Sequence, residues 1–381
     1  MEKKSKIRIF HTADVHLDSP FSRLDVKQSE KRRNELRGVF TSMMIAAKAN
    51  RADIVLIAGD LFDNGYAGEQ TVALLKDTFL KAPECKFVIS AGNHDPNSAR
   101  SIYRMGKFPD NVYVFDSQEL SKFTFDDIGV DVWGWSFVSE KLTENPLKNA
   151  VTPTSDNIPL LCAHCDLGAS DSPYAPVSLS DIERFGAAYS ALGHIHKRGE
   201  VHHLKDGRLC AYSGCPEGRS FDETGDGGAY IVDIERGDEG RHKVNVTFQK
   251  FSVSSYMTES LDLTGVLFPH QAEEKIRTLI ENGKFDEKTS LRLKLTGIVG
   301  VGCGALDNFS ANDLGLFSLE IRDMTSPTFD TGELERDMTI RGAVYRHLAP
   351  MLNSEDENER KMASDALRVS FAALSGSDFV R

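Results

Sequence analysis

The chain has 381 residues, 40% hydrophobic and 27% charged, an ordinary globular composition. It excludes collagen, disulfide-framed mini-proteins and wholly disordered chains, and at roughly 100–200 residues per domain it leaves room for two or three domains. The formal net charge of −12 argues against a nucleic-acid partner, for which a basic footprint is the usual mark, although residues 1–120 carry 18 Lys/Arg against 16 Asp/Glu and the acidity lies beyond them.

The basic start, residues 1–6, is followed only by Ile7, Ile9 and Phe10 around Arg8, short of the apolar run of a signal peptide. No stretch nears the ~20 apolar residues of a spanning helix. Six scattered cysteines then read as reduced thiols, and the expected compartment is the cytoplasm. Short Ile/Val-rich runs at 7–11, 54–58 and 87–90 predict buried strands. Between them, 29–49 places Leu36, Val39, Phe40, Met43, Met44 and Ala47 on one helical face, and 70–80 does the same with Val72, Leu75 and Phe79. This alternation predicts an α/β sheet. Later strands at 130–135, 160–163, 189–192, 209–212, 230–234 and 244–248 lack long helices between them and predict a second, partly antiparallel sheet, giving a two-sheet sandwich with helices outside. After about residue 255 the pattern changes to a helix at 269–282, strands at 291–295 and 316–321, and a helix at 332–348, read as a small α+β domain. A last helix, 358–374, carries an apolar stripe.

Chemistry-bearing residues collect at the strand ends. They are Asp14-Val15-His16, Gly59-Asp60-Leu61-Phe62-Asp63, Gly92-Asn93-His94-Asp95, His164, and Gly193-His194-Ile195-His196. In open α/β sheets, sites form beyond the carboxyl ends of strands. Carboxylates with imidazoles suit divalent Mn, Fe or Zn. Asp14, His16, Asp60, Asn93, His164, His194 and His196 are too many ligands for one four-coordinate ion; they suit two ions sharing a carboxylate, for which Asp60 is the natural bridge. Two such ions clamp an in-line displacement at phosphorus by activated water. His94 is placed to meet the leaving oxygen or the transition-state charge, with Asp95 orienting its ring.

This set resembles the calcineurin-like metallophosphoesterase superfamily over residues 9–196. Within it, the GDLFD, GNHD and GHIH segments resemble the SbcD-like double-strand-break repair nucleases. Residues His16 to Phe21 and Gly214-Cys215-Pro216-Glu217-Gly218-Arg219 are similar to the YhaO-type DNA repair exonuclease branch. The resemblance implies a four-layer α-β-β-α sandwich (residues 1–254), a DNA-capping α+β domain (255–350) and a C-terminal helix (351–381) for partner docking. It also implies Mn2+-dependent exonuclease or endonuclease activity, with Fe, Zn or Mg as other ions. The implied partners are DNA, an SbcC/Rad50-like ATPase and a second copy of the chain in a homodimer. On this reading Asp14, His16 and His196 hold one ion, Asn93, His164 and His194 the other, and Asp60 lies between. Asp18 stands where the better-known nucleases have Gly, and Cys215 where they have Ser. A small-molecule or phosphoprotein phosphoesterase and a structural, DNA-positioning role are the competing readings.

Among the remaining residues, Lys31, Arg32 and Arg33 on the first helix, and Arg219 in a glycine-rich loop, are candidate phosphate contacts, weighed against a solvated helix face and a plain surface loop. Asp63 reads as a helix cap or turn residue, His11 as a packing residue. The C-x-x-C of Cys162 and Cys165 reads as two small buried side chains.

Overall fold

Each of the first three strands is apolar on both faces, which requires cover on both sides. In the computed structural model, which describes residues 3–64, 67–237, 241–300, 309–328 and 331–375, that cover is a second sheet on one side and helices on the other. The chain divides into two compact units, Met1–Tyr256 and Met257–Arg381.

The first unit runs β1 (Lys6–Thr12), α1 (Val26–Ala49), β2 (Ile54–Ala58), α2 (Glu69–Leu80), β3 (Lys86–Ser90), α3 (Ile102–Met105), β4 (Val112–Val114), β5 (Ser121–Phe125), β6 (Val130–Gly134) and β7 (Ile158–His164). It continues through β8 (Asp166–Leu167), β9 (Pro176–Val177), α4 (Leu179–Phe185), β10 (Tyr189–Gly193), β11 (His202–His203), β12 (Leu209–Tyr212), β13 (Gly228–Glu235) and β14 (Lys243–Lys250). Two six-stranded sheets result, ordered β14-β13-β1-β2-β3-β4 and β11-β12-β10-β7-β6-β5. Ile7, Ile9, Ile54, Leu56 and Val88 meet Val130, Val132, Leu160, Tyr189 and Ala191 between the sheets. Alternate residues Phe10, Val55, Ile57, Phe87 and Ile89 point the other way, onto Leu36, Phe40 and Met43 of α1 and Leu75 and Phe79 of α2. Beyond the second sheet, Leu161, Ala163 and Leu192 pack on Ile182 and Phe185 of α4. This is a four-layer α-β-β-α sandwich.

One expectation fails. β13 and β14, assigned from sequence to the second sheet, extend the first: β13 pairs antiparallel with β1 from Lys6 opposite Glu235 to His11 opposite Tyr230. The edge of β1 needs a partner, and the loop after β12 carries the chain across to it. The second sheet is antiparallel only at its edges, where β5 meets β6 and β11 meets β12; β6, β7, β10 and β12 are mutually parallel.

Helix α1 starts where the Asp25 side chain accepts from the Gln28 N–H at 2.8 Å. Its Arg32 is 1% exposed and faces Glu217, 0% exposed, with Nη2–Oε1 at 3.0 Å. Glu217 also accepts from the Val253 and Ser254 N–H groups. Removing Glu217 leaves the buried Arg32 with Glu35 as its one carboxylate among the described residues and frees two backbone N–H groups. Glu217→Ala is therefore expected to cost about 3 kcal/mol in urea unfolding, with Arg32→Met/Glu217→Met recovering most of it; a loss below ~1 kcal/mol would refute the pair's structural role.

The second unit runs β15 (Ser255–Asp262, its first two residues in the first unit), α5 (Pro269–Asn282), β16 (Thr289–Thr296), β17 (Ile298–Val299), β18 (Ser318–Asp323), β19 (Ser326–Pro327), α6 (Thr331–Arg336), α7 (Ile340–Leu352) and α8 (Glu357–Ser375). A three-stranded sheet, β15-β16-β18, pairs β16 and β18 in parallel and packs Leu291, Leu293 and Leu295 on Ala272, Ile276 and Ile280 of α5. Two details depart from the sequence reading. β15, largely polar, was not foreseen. The single helix expected at 332–348 is broken, because Asp337 Oδ1 accepts from the Thr339 N–H at 2.7 Å and makes a turn there. Leu367 and Phe371 of α8 pack with Leu334 and Tyr345. Among the described residues no helix is long and apolar enough to cross a membrane.

Candidate metal centre

The pairing of β1 with β2 continues past the strand ends. Asp14 N–H donates to Gly59 O (3.0 Å), His16 N–H to Asp60 O (2.9 Å) and Leu17 N–H to Leu61 O (2.9 Å). The two loops are thus zipped together, and Asp14, His16 and Asp60 turn into one space with left-handed φ of 53°, 49° and 49°; His194 sits at 110°. Such conformations cost about 1–3 kcal/mol each and persist only where the surroundings impose them. Two glycines make room. At Gly59 (φ +95°) a Cβ would stand 2.1 Å from His164 Nδ1, and at Gly92 one would stand 2.1 Å from Asp60 Oδ1. Any other residue would displace a candidate ligand.

Asp14, His16, Asp60 and His196 each offer one ligand atom, all within 4.8 Å of one another. His16 Nδ1 lies 3.0 Å from Asp63 Oδ1 and His196 Nδ1 lies 2.7 Å from Glu223 Oε1. The Nε2 atoms of the two rings face each other at 3.2 Å, and Arg219 Nη2 stands 3.2 Å from His196 Nδ1. His164 Nδ1 donates to Ala58 O at 3.0 Å, which leaves its Nε2 lone pair 2.9 Å from Asn93 Oδ1. Asp60 Oδ2 stands between the two groups, 3.6 Å from His16 Nε2 and 3.5 Å from His164 Nε2. It is buried and accepts no hydrogen bond among the described residues. The ring of His194 lies 5.2 Å from that of His164, and its N–H donates to Asp14. Acceptors converging without protons between them are relieved by cations, and this mix of carboxylate, amide and imidazole fits borderline divalent ions.

The electrostatics agree. Burial lifts the Asp14 carboxyl to about 6, outweighing His164, His196 and the backbone N–H of His194. Burial raises Asp60 too, but His164, His16 and His94 outweigh it and hold it below the usual carboxylate range. Burial pushes His16 and His194 down to about 4, so both are neutral and free to ligate at neutral pH.

Residues 7–198 match the family model described as calcineurin-like phosphoesterase, which covers half of the chain. The chain belongs to the calcineurin-like phosphoesterase family. It is 28% identical over 321 residues to a Bacillus subtilis protein described as the uncharacterized metallophosphoesterase YhaO, covering 80% of this chain and 76% of that one. It is 25% identical over 308 residues to the DNA double-strand break repair protein Mre11 of Sulfolobus acidocaldarius (77% and 76% covered). With one component of the Staphylococcus epidermidis nuclease SbcCD it shares 22% over 262 residues (60% and 66% covered). Calcineurin-like phosphoesterases are metal-dependent hydrolases with a dinuclear centre.

Around that centre the phosphoesterase departs from the sequence reading in four places. Asp95 does not touch the His94 ring. It is 1% exposed and is spent on the loop, accepting from the Gly92 N–H (2.7 Å), the Phe62 N–H (3.1 Å) and the Tyr103 hydroxyl. His94 is exposed, its N–H donating to Asp60 Oδ1 (3.0 Å) and its ring 4.9 Å from that of His16. Asp63 caps no helix; α2 begins at Gly68 without a side-chain cap. Asp18 holds that start instead, accepting from the Gly68 N–H (2.9 Å), the Thr71 hydroxyl (2.7 Å) and Arg37 (2.6 Å). Arg32 is buried in its ion pair and cannot reach a phosphate, and Arg219 is turned inward on Asp63 and Glu223. Of the four basic candidates, Lys31 is exposed and Arg33 half-buried.

Asp63 and Glu223 were missed as partners of the imidazoles. Their only sequence signal was adjacency, Asp63 to the Asp60 loop and Glu223 to the loop of Gly214. His11 packs, as expected, between the Tyr189 hydroxyl (2.8 Å) and Leu192 O (3.2 Å). Cys162 faces the inter-sheet layer and Cys165 the α4 layer, so the C-x-x-C is no ligand pair. The five described cysteines are free and buried; Cys303 lies outside the described residues.

Proposed function

We propose that the chain hydrolyses DNA phosphodiester bonds with two divalent ions. Asp14, His16 and His196 would hold one, Asn93, His164 and His194 the other, and Asp60 would bridge them. The observation that carries this reading is the bare, buried Asp60 Oδ2, poised between His16 Nε2 and His164 Nε2. When bound, the ions supply charge that activates water and stabilises the phosphoryl transition state. The protein's own contribution is to fix imidazole tautomers through Asp63, Glu223 and Ala58 O, and to present His94 from the rim. There His94 donates a proton to the departing oxygen, giving a free hydroxyl and a phosphomonoester without a covalent enzyme intermediate.

DNA as substrate is supported by the names of the relatives, which include a double-strand-break repair protein and a component of an SbcCD nuclease; manganese as the ion and an SbcC/Rad50-like ATPase as partner are carried over from the sequence resemblance. Residues 255–350 are assigned to DNA capping. The outward Met362, Val369 and Leu374 of α8 are assigned to the ATPase. Free, buried thiols fit a reducing cytoplasm.

The test is purified protein with Mn2+, Mg2+ or Zn2+ on linear duplex DNA, hairpin DNA and a generic phosphodiester chromogen. DNA cleavage with Mn2+ is expected. His94→Gln should keep both ions and lose about 100-fold or more in turnover. Chromogen hydrolysis with no cleavage of either DNA would favour a small-molecule phosphoesterase instead.

A further inference from the structure

Arg219 lies inside the wall of the centre, its side chain 14% exposed. Its Nη1 donates to Asp63 Oδ1 at 2.7 Å and its Nη2 to Glu223 Oε1 at 2.9 Å. Its backbone N–H donates to Glu223 Oε2 at 2.7 Å, so Glu223 is gripped at both oxygens. Those two carboxylates are the ones against His16 Nδ1 and His196 Nδ1. One planar guanidinium thus spans two carboxylates, each carboxylate meets the outer nitrogen of one imidazole, and the inner Nε2 atoms of both rings meet at 3.2 Å. The Nε of Arg219 is buried, and both Nη groups are engaged, which leaves little of the side chain for a phosphate.

We propose that Arg219 is a positioning residue for one ion of the pair, setting the spacing of His16 and His196 through Asp63 and Glu223. The inference rests on the ligand assignment above and deepens it. A guanidinium is suited to the task because its fork is rigid and its two Nη groups diverge at a fixed angle, whereas an ammonium is a point charge on a flexible stem. The contacts hold the two carboxylates against the outer nitrogens of the rings, and so set which way the two Nε2 atoms face. The other ligand group is built differently. His164 is oriented by a backbone carbonyl, Ala58 O, which no side-chain substitution removes. The two ions therefore depend on Arg219 unequally, and the second serves as an internal control.

The test is Mn2+ titration of the full chain, wild type, Arg219→Lys and Arg219→Met, followed by calorimetry and by the electron paramagnetic resonance signal of free Mn2+. Arg219→Met should bind one ion as the wild type does and the other about 10- to 100-fold more weakly. Arg219→Lys, which retains the charge but reaches one carboxylate, should fall between. Should Arg219→Met fail to fold by circular dichroism, Asp63→Asn and Glu223→Gln each cut one arm and should weaken the same single ion. Two affinities within about twofold of wild type, or equal weakening of both ions, would overturn the role of Arg219. A wild-type chain taking up fewer than two ions would overturn the ligand assignment itself, a result separable from the first.

Discussion

Asp60→Ala is expected to lower Mn2+-dependent hydrolysis by about 10⁴-fold. Loss of a partner that merely orients a ligand costs about 10- to 100-fold in metal affinity or activity, and a carboxylate shared by two ions bears on both, so the losses multiply. The fold should survive. Asp60 is 1% exposed, and its removal withdraws a buried charge beside His16, which burial holds neutral at neutral pH. The expected signature is a metal-free melting temperature near that of the wild type, with the increase on adding Mn2+ largely gone. A variant retaining more than about a tenth of wild-type turnover would refute the bridging role.

Mn2+ affinity should climb by more than about tenfold per pH unit up to roughly pH 6 and go on climbing more gently above it until His196 is neutral. The sign follows from Asp14. Burial raises its carboxyl to about 6 in the metal-free fold. Below that pH it is protonated, and an incoming ion must displace the proton. His16 and His194, held at about 4 by burial, are already neutral throughout this range, whereas at His196 burial is outweighed by Glu223 and Asp14, which raise it above its ordinary value, so His196 gives up a further proton. Calorimetry at pH 5 in two buffers of different ionisation enthalpy should report about two protons released, one from Asp14 and one from His196. An affinity constant between pH 5 and 7 would show that Asp14 does not ligate.

Much of the architecture was legible because strand ends are marked by short apolar runs closing on Asp, His or Gly. That pattern alone places Asp14, Asp60, Asn93, His164 and His194 on parallel strands whose carboxyl ends share one rim. The contacts around the ligands were not legible. His16, Asp63 and Arg219 are separated by long stretches of chain, and nothing in their local sequence distinguishes a carboxylate that grips an imidazole from one that starts a helix. Arg32 shows the same limit. In a helix of mixed charge its neighbours read as a solvated face, and only the return of Glu217 from far along the chain puts it inside. β13 was misassigned for a related reason: strand patterning reports burial, not which sheet edge is vacant.

The left-handed backbone at Asp14, His16, Asp60 and His194 also bears on how ions are chosen. Those conformations are held by the zipped loops and by the glycines behind them, so the donor atoms are in place before any ion arrives. A cage assembled at folding has little freedom to contract or expand around its guest. Discrimination among divalent cations should therefore rest on how well an ion's radius and preferred geometry match a preset spacing, and less on how strongly each ion can draw flexible ligands toward itself.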